Sequence, residues 1–98
     1  MEIAIMDRIM TLHPEEGKQG VNISREKYEL ICNAILSKLE ALSEITFGEL
    51  VASLEEELGD TFEGSIPWYV TAVKLDLEAR EMIQRVPDAT PQRLQLVD

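Results

Sequence analysis

The sequence predicts an α+β domain: three main helices and a small antiparallel sheet that ends in a C-terminal β-hairpin, with a short N-terminal arm in front. Three observations carry this. Residues 24–42 place apolar side chains at steps of three and four, the mark of an amphipathic helix. Thr46-Phe47-Gly48-Glu49 has the form of a capping box at the start of a second helix. Residues 64–97 read as a helix that passes at once into two short strands.

The elements follow in order. In Met1–Leu12 the positions Ile5, Ile9 and Leu12 have helical spacing, while Ile3 and Ile5 alternate as in a strand. A short helix or an extended arm packed on the domain is expected, ended by Pro14. Residues 15–20 form a polar loop and 21–23 a short extended piece. Ser24 is an N-cap, with Glu26 near the positive end of the helix dipole. Tyr28, Ile31, Cys32, Ile35, Leu36, Leu39 and Leu42 then make the cleanest stripe in the chain. Ile45-Thr46-Phe47 is β-prone, and a strand here is expected to pair with the hairpin. The second helix runs to about Leu58, with Leu50, Val51, Leu54 and Leu58 inward and Gly59 as its C-cap.

The third helix covers residues 65–80. Ser65 caps it, Pro67 falls in the first turn, and Ile66, Tyr69, Val70, Val73 and Leu77 face inward. Met82-Ile83-Gln84-Arg85-Val86 and residues 92–97 are strands around a Pro-Asp-Ala-Thr-Pro turn. The predicted core is Tyr28, Ile31, Ile35, Leu39, Leu42, Phe47, Leu50, Val51, Leu54, Tyr69, Val70, Val73, Leu77, Ile83, Leu94 and Leu96.

Ninety-eight residues make a single domain, an arm and loop over 1–23 and a core over 24–98. A hydrophobic share of 45% supports a modest core at this size. The one cysteine, Cys32, precludes an intramolecular disulfide and reads as a small buried hydrophobe, which suits a reducing cytoplasm. No apolar run reaches membrane-spanning length, and the N-terminus lacks the pattern of a signal peptide.

The net charge of −10 is concentrated. Residues 40–63 hold eight acids and no base, and the flanking stretches carry −1 each. A solvated helix face explains such a run. An acidic docking surface for a basic partner explains it too. Glu55, Glu56 and Glu57 stand at the negative end of their helix, where each costs on the order of 0.3 kcal/mol.

Catalytic signals are lacking. His13, the one histidine, lies beside Pro14 and two glutamates and supplies too few ligands for a metal site. Ser24 and Ser65 are caps. Gly17-Lys18-Gln19-Gly20 lacks the spacing and preceding strand of a phosphate loop. No enzyme activity, cofactor, metal or small-molecule substrate is indicated.

With Val73 inward and 100° per residue, Trp68, Thr71, Leu75 and Glu78 point outward on the third helix, with Lys74 and Ala79 at the edges. An outward Trp68 and Leu75 call for cover, from the N-terminal arm or from another chain, or for insertion into DNA. Trp68, Thr71 and Leu75, with the acids Glu55, Glu56 and Glu57, are therefore the candidate protein interface. Lys74 on the helix, with Arg85 and Arg93 flanking the hairpin turn, is the candidate set for nucleic-acid contact.

The segments LHPEEGKQGVNIS, GSIPWYVTAVKLDLEAR, MIQRV and PQRLQLV resemble a small bacterial family of unknown function. Its pattern has a basic and glycine-bearing loop, a Trp-Tyr-Val helix and a Leu-Glu-Ala-Arg-Gly-hydrophobic-Ile exit. The likeness covers most of residues 10–97 and implies no activity. Here Glu81 stands where that pattern has glycine. By element order the chain is also similar to the winged helix-turn-helix superfamily, which implies DNA binding as the commonest role. The reading is a non-enzymatic winged-helix interaction module that binds protein, as a dimer or by docking a partner. The alternative is a DNA-binding transcriptional regulator using helix 65–80 and wing 82–97.

Overall fold

The computed structural model describes residues 7–97; the expectations placed on Ile3 and Ile5 lie outside them. The architecture is α+β, with three helices and two small antiparallel sheets. β1 (Arg8–Met10) pairs with β2 (Asn22–Ser24), Ile9 opposite Ile23. Then come α1 (Arg25–Leu42), β3 (Glu44–Thr46), α2 (Phe47–Leu58), α3 (Ile66–Ala79), β4 (Ile83–Arg85) and β5 (Arg93–Leu96). The second sheet has the order β3-β5-β4, so the C-terminal strand is central. Ile45 lies opposite Leu94, and Ile83 opposite Leu96.

Where it is described, the N-terminal arm is a strand and not a helix. Arg8 and Met10 face solvent while Ile9 turns inward, a period of two. Leu12, in helical register with Ile9, is exposed. The next residue after Met10 fixes the arm. Thr11 is buried, its amide donates to the Val21 carbonyl (2.8 Å), and its Oγ1 accepts the Val21 amide (2.8 Å). Gly20 permits the approach, because a Cβ there would stand 2.1 Å from the Thr11 carbonyl oxygen.

The helix starts follow the sequence. Ser24 Oγ accepts the Lys27 amide and Ser65 Oγ accepts the Trp68 amide (3.3 and 3.2 Å). The capping box of α2 is reciprocal: Glu49 N–H to Thr46 Oγ1 (3.1 Å) and Thr46 N–H to Glu49 Oε1 (3.2 Å). α3 ends in a Schellman arrangement. The Glu81 amide donates to the Glu78 carbonyl (3.0 Å) and the Met82 amide to the Leu77 carbonyl (2.9 Å). Glu81 itself has φ +62°.

The core gathers Ile31, Ile35 and Leu39 of α1, Leu50 and Leu54 of α2, Val70, Val73 and Leu77 of α3, and Ile83 and Leu94 of the sheet. Ile23, Ile45 and Ile66 join it. Phe47, Val51, Tyr69 and Leu96 pack only at its margin. Leu42 does not belong to the core. It is the last residue of α1, the chain turns at Ser43 (φ +71°) into β3, and the side chain is left 55% exposed. No helix among the described residues is long and apolar enough to cross a membrane.

Candidate functional site

The outward face of α3 divides into two halves. The C-terminal half is covered. Leu75 is half-buried and shares a depression with Pro14, Glu15, Ile83, Gln84 and Arg85. Glu78, expected outward, has a side chain only 9% exposed. Two cations enclose it: Lys74 Nζ lies 3.4 Å from Oε1 and Arg85 Nε 3.2 Å from Oε2. The loop after β1 and the start of the hairpin therefore supply the cover that this half of the helix needed.

The N-terminal half is open. Trp68 is 47% exposed and Thr71 is exposed, its hydroxyl donating to the Pro67 carbonyl (2.9 Å). Trp68 meets Tyr69 edge to face at 5.0 Å between centroids, and Tyr69 meets Phe62 in the same way at 5.1 Å. The Lys27 ammonium lies 5.4 Å from the Tyr69 ring and 5.6 Å from that of Phe62. The tryptophan thus stands on a braced base, which lowers the entropy lost when a partner covers it.

Lys74 corrects the edge position expected for it. It is 94% buried by residue area, since only 6% is exposed, and its ammonium lies 5.6 Å from the centroid of the Phe47 ring. Burial lowers its pKa, with Glu78 opposing that shift. A lysine so placed is not available to a phosphate backbone as a surface contact. The other two residues of the nucleic-acid set are also engaged: Arg85 with Glu78, and Arg93 Nε with Glu44 Oε1 at 3.0 Å. Of the acidic set, Glu55 and Glu56 are exposed, and Glu57 pairs with Lys38 across to α1. Glu57 is thus engaged with α1, and Trp68 with Tyr69 beside it on α3.

Beside Thr71 lies a cleft of about 440 Å³, walled by Thr46 of β3, Phe47 and Gly48 of α2, Lys74 of α3, and Pro91 and Gln92 before β5. Apart from Lys74, a candidate nucleic-acid contact, the sequence gives these wall residues only structural roles or none. Beneath the surface a second polar group also went unanticipated. Asp76 is fully buried and accepts from the Leu12 amide (2.8 Å), the Tyr28 hydroxyl and Arg80 Nε (2.8 Å). The signal was present in the sequence, because Asp76 falls about 60° from Val73 on a 100° wheel, inside the apolar arc.

Residues 8–94 match a family described as one of unknown function (DUF6958). The chain belongs to this family. No curated protein matches it. The family match spans from β1 into β5, and so takes in both the open half of α3 and the cleft.

Proposed function

We propose that the chain is a non-enzymatic winged-helix module that binds protein, either a second copy or another partner, through Trp68 and Thr71 on the open half of α3. The order α1, β3, α2, α3 and the β4–β5 hairpin supports the winged-helix reading. One observation carries the choice of partner class. Lys74, Arg85 and Arg93 each pair with a carboxylate, while Trp68, on the open half of α3, is left exposed. Phosphate binding draws on cations free to release counterions. An exposed, braced aromatic is instead the usual anchor of a protein interface. Glu55 and Glu56 offer a second patch, suited to a basic partner. With its single cysteine held at a raised pKa, chiefly by burial, the domain fits a reducing cytoplasm.

DNA binding is the second reading. It is favoured by the cleft, which sets Thr71 of α3 and the hairpin residues Pro91 and Gln92 on one face. Light scattering on the pure chain and binding to random duplex at low and moderate salt separate the two. The protein-binding reading expects no DNA binding at low salt. If the partner is a second copy, a dimer mass reverts to monomer in Trp68→Ala. Tight, salt-sensitive DNA binding that weakens in Arg85→Ala or Arg93→Ala would overturn it.

A further inference from the structure

The cleft beside Thr71 has a composition that the interaction reading does not use. Its walls are mostly apolar, formed by the Phe47 ring, Pro91 and the bare backbone of Gly48, where an added Cβ would meet nothing within 4 Å. Its volume of about 440 Å³ is many times the ~30 Å³ share of one water molecule. One charged residue lines it: Lys74, whose side chain is 92% buried (8% exposed) and whose ammonium lies 5.6 Å from the centroid of the Phe47 ring on the cleft wall.

The Lys74 ammonium has a shared partner. Glu78 is the one carboxylate paired with Lys74, and Arg85 pairs with it too. The geometry of the pair is loose as well. At 3.4 Å the Lys74–Glu78 contact is an ion pair without a hydrogen bond, and Glu78 Oε1 has no hydrogen-bond partner among the described residues. An ammonium has three donors to place.

The first turn of α2 reaches the same cleft. The opening amides of a helix have no intrahelical acceptor. Phe47 donates its amide to the Gln92 carbonyl (3.3 Å) and Glu49 to Thr46 Oγ1 (3.1 Å), while Gly48 between them lines the cleft and its amide has no such acceptor among the described residues. The Glu49 carboxylate, the nearest acid in sequence, is turned back onto the Thr46 amide and does not line the cleft.

We propose that this cleft binds a small carboxylic acid with an apolar body, its carboxylate on the Lys74 ammonium and the Gly48 amide and its body against Phe47 and Pro91. The carboxylate gives the mostly buried Lys74 ammonium the charge-assisted hydrogen bond that its 3.4 Å contact with Glu78 does not make. The apolar body replaces water on the ring and proline surfaces. The lowered pKa of Lys74 agrees with this. Burial disfavours its charge, and a bound carboxylate would restore it.

The test titrates the full chain with cyclohexanecarboxylate, followed by the amide resonance of Gly48 and the side-chain resonance of Lys74. Cyclohexanecarboxamide, acetate and inorganic phosphate serve as comparison probes. The acid should bind saturably, move both resonances and raise the pKa of Lys74. The amide, which lacks the charge, and acetate, which lacks the body, should each bind about tenfold more weakly or worse. Lys74→Met, its fold checked by its amide spectrum, should lose the preference for acid over amide. Gly48→Ala keeps Lys74 and puts a methyl group into the cleft, and it should weaken the acid alone.

Equal binding of acid and amide, phosphate binding as tightly as the acid, or no saturable binding of any probe would each overturn the proposal. So would a Lys74→Met variant that still prefers the acid. Trp68→Ala lies outside the cleft lining and keeps the titration independent of the interface reading. A Trp68→Ala chain that keeps both its assembly and its acid binding would sink the interface reading and leave this one standing.

Discussion

Glu81 holds a left-handed conformation (φ +62°) one residue past the cap of α3, where both Schellman hydrogen bonds are made. Glycine adopts that conformation without a Cβ penalty, whereas another L-residue pays roughly 1 kcal/mol or more. Glu81→Gly should therefore raise stability by about 1 kcal/mol, read as about 4–8 °C in the melting temperature for a domain of this size. A lower melting temperature would mean that the Glu81 side chain stabilises the fold by more than the strain costs. Asp76 is the opposite case, a buried charge completed by three donors from three parts of the chain. Tyr28→Phe removes one charge-assisted bond and should cost roughly 1.5–3 kcal/mol by denaturant midpoint. The same tyrosine sets an alkaline limit. Burial, and then the Asp76 carboxylate, push its phenol pKa well up, and burial pushes up the Cys32 thiol. Raised pKa values contribute stability that is present below the unfolded pKa and lost as pH rises beyond it. Stability should thus decline above about pH 9, less steeply in a Tyr28→Phe, Cys32→Ala double variant.

Elements whose ends are written locally were legible in the sequence. α1, α2 and α3 begin at Ser24, Thr46 and Ser65 because the capping oxygen and the amide it serves lie three residues apart, and the hairpin was readable from two short apolar runs around a proline-bounded turn. The arm was not legible, because what makes it a strand is distant: the Thr11–Val21 bonds, permitted by Gly20. Gly20→Ala should accordingly detach β1 from β2 and speed hydrogen exchange at Thr11 and Val21, while the amides of α2 stay protected. Uniform loss of protection would show instead that the arm and the core unfold together. The face of α3 was half legible for the same reason. A helical wheel orients Trp68 and Thr71 correctly, yet it carries nothing about the hairpin that covers Glu78 or the Phe47 ring beside Lys74. The cleft is built from residues far apart in the chain, and no spacing rule joins Gly48 to Pro91.

Across the whole molecule, the acids and bases are used differently. Five of the nine bases pair with acids over elements of the core: Lys38 with Glu57, Lys74 and Arg85 with Glu78, Arg80 with Asp76, and Arg93 with Glu44. Those pairs leave the acids of residues 40–63 largely uncompensated, and Glu55 and Glu56 stand exposed at the negative end of α2. Like charges packed on one side repel, and salt screens them. Raising the ionic strength from about 0.01 M to about 0.15 M shortens the Debye length from about 30 Å to about 8 Å and should raise the melting temperature. A Glu55→Lys, Glu56→Lys double variant removes two of these charges and puts cations where the helix dipole favours them. It should gain roughly 0.3–1 kcal/mol per site at low salt, and its melting temperature should depend less on salt than that of the parent. A parent melting temperature indifferent to salt would mean that the acids lie too far apart to oppose folding. A stabilised variant that no longer docks a basic partner would show that α2 keeps its unfavourable acids for binding, at a cost in stability that the rest of the fold offsets.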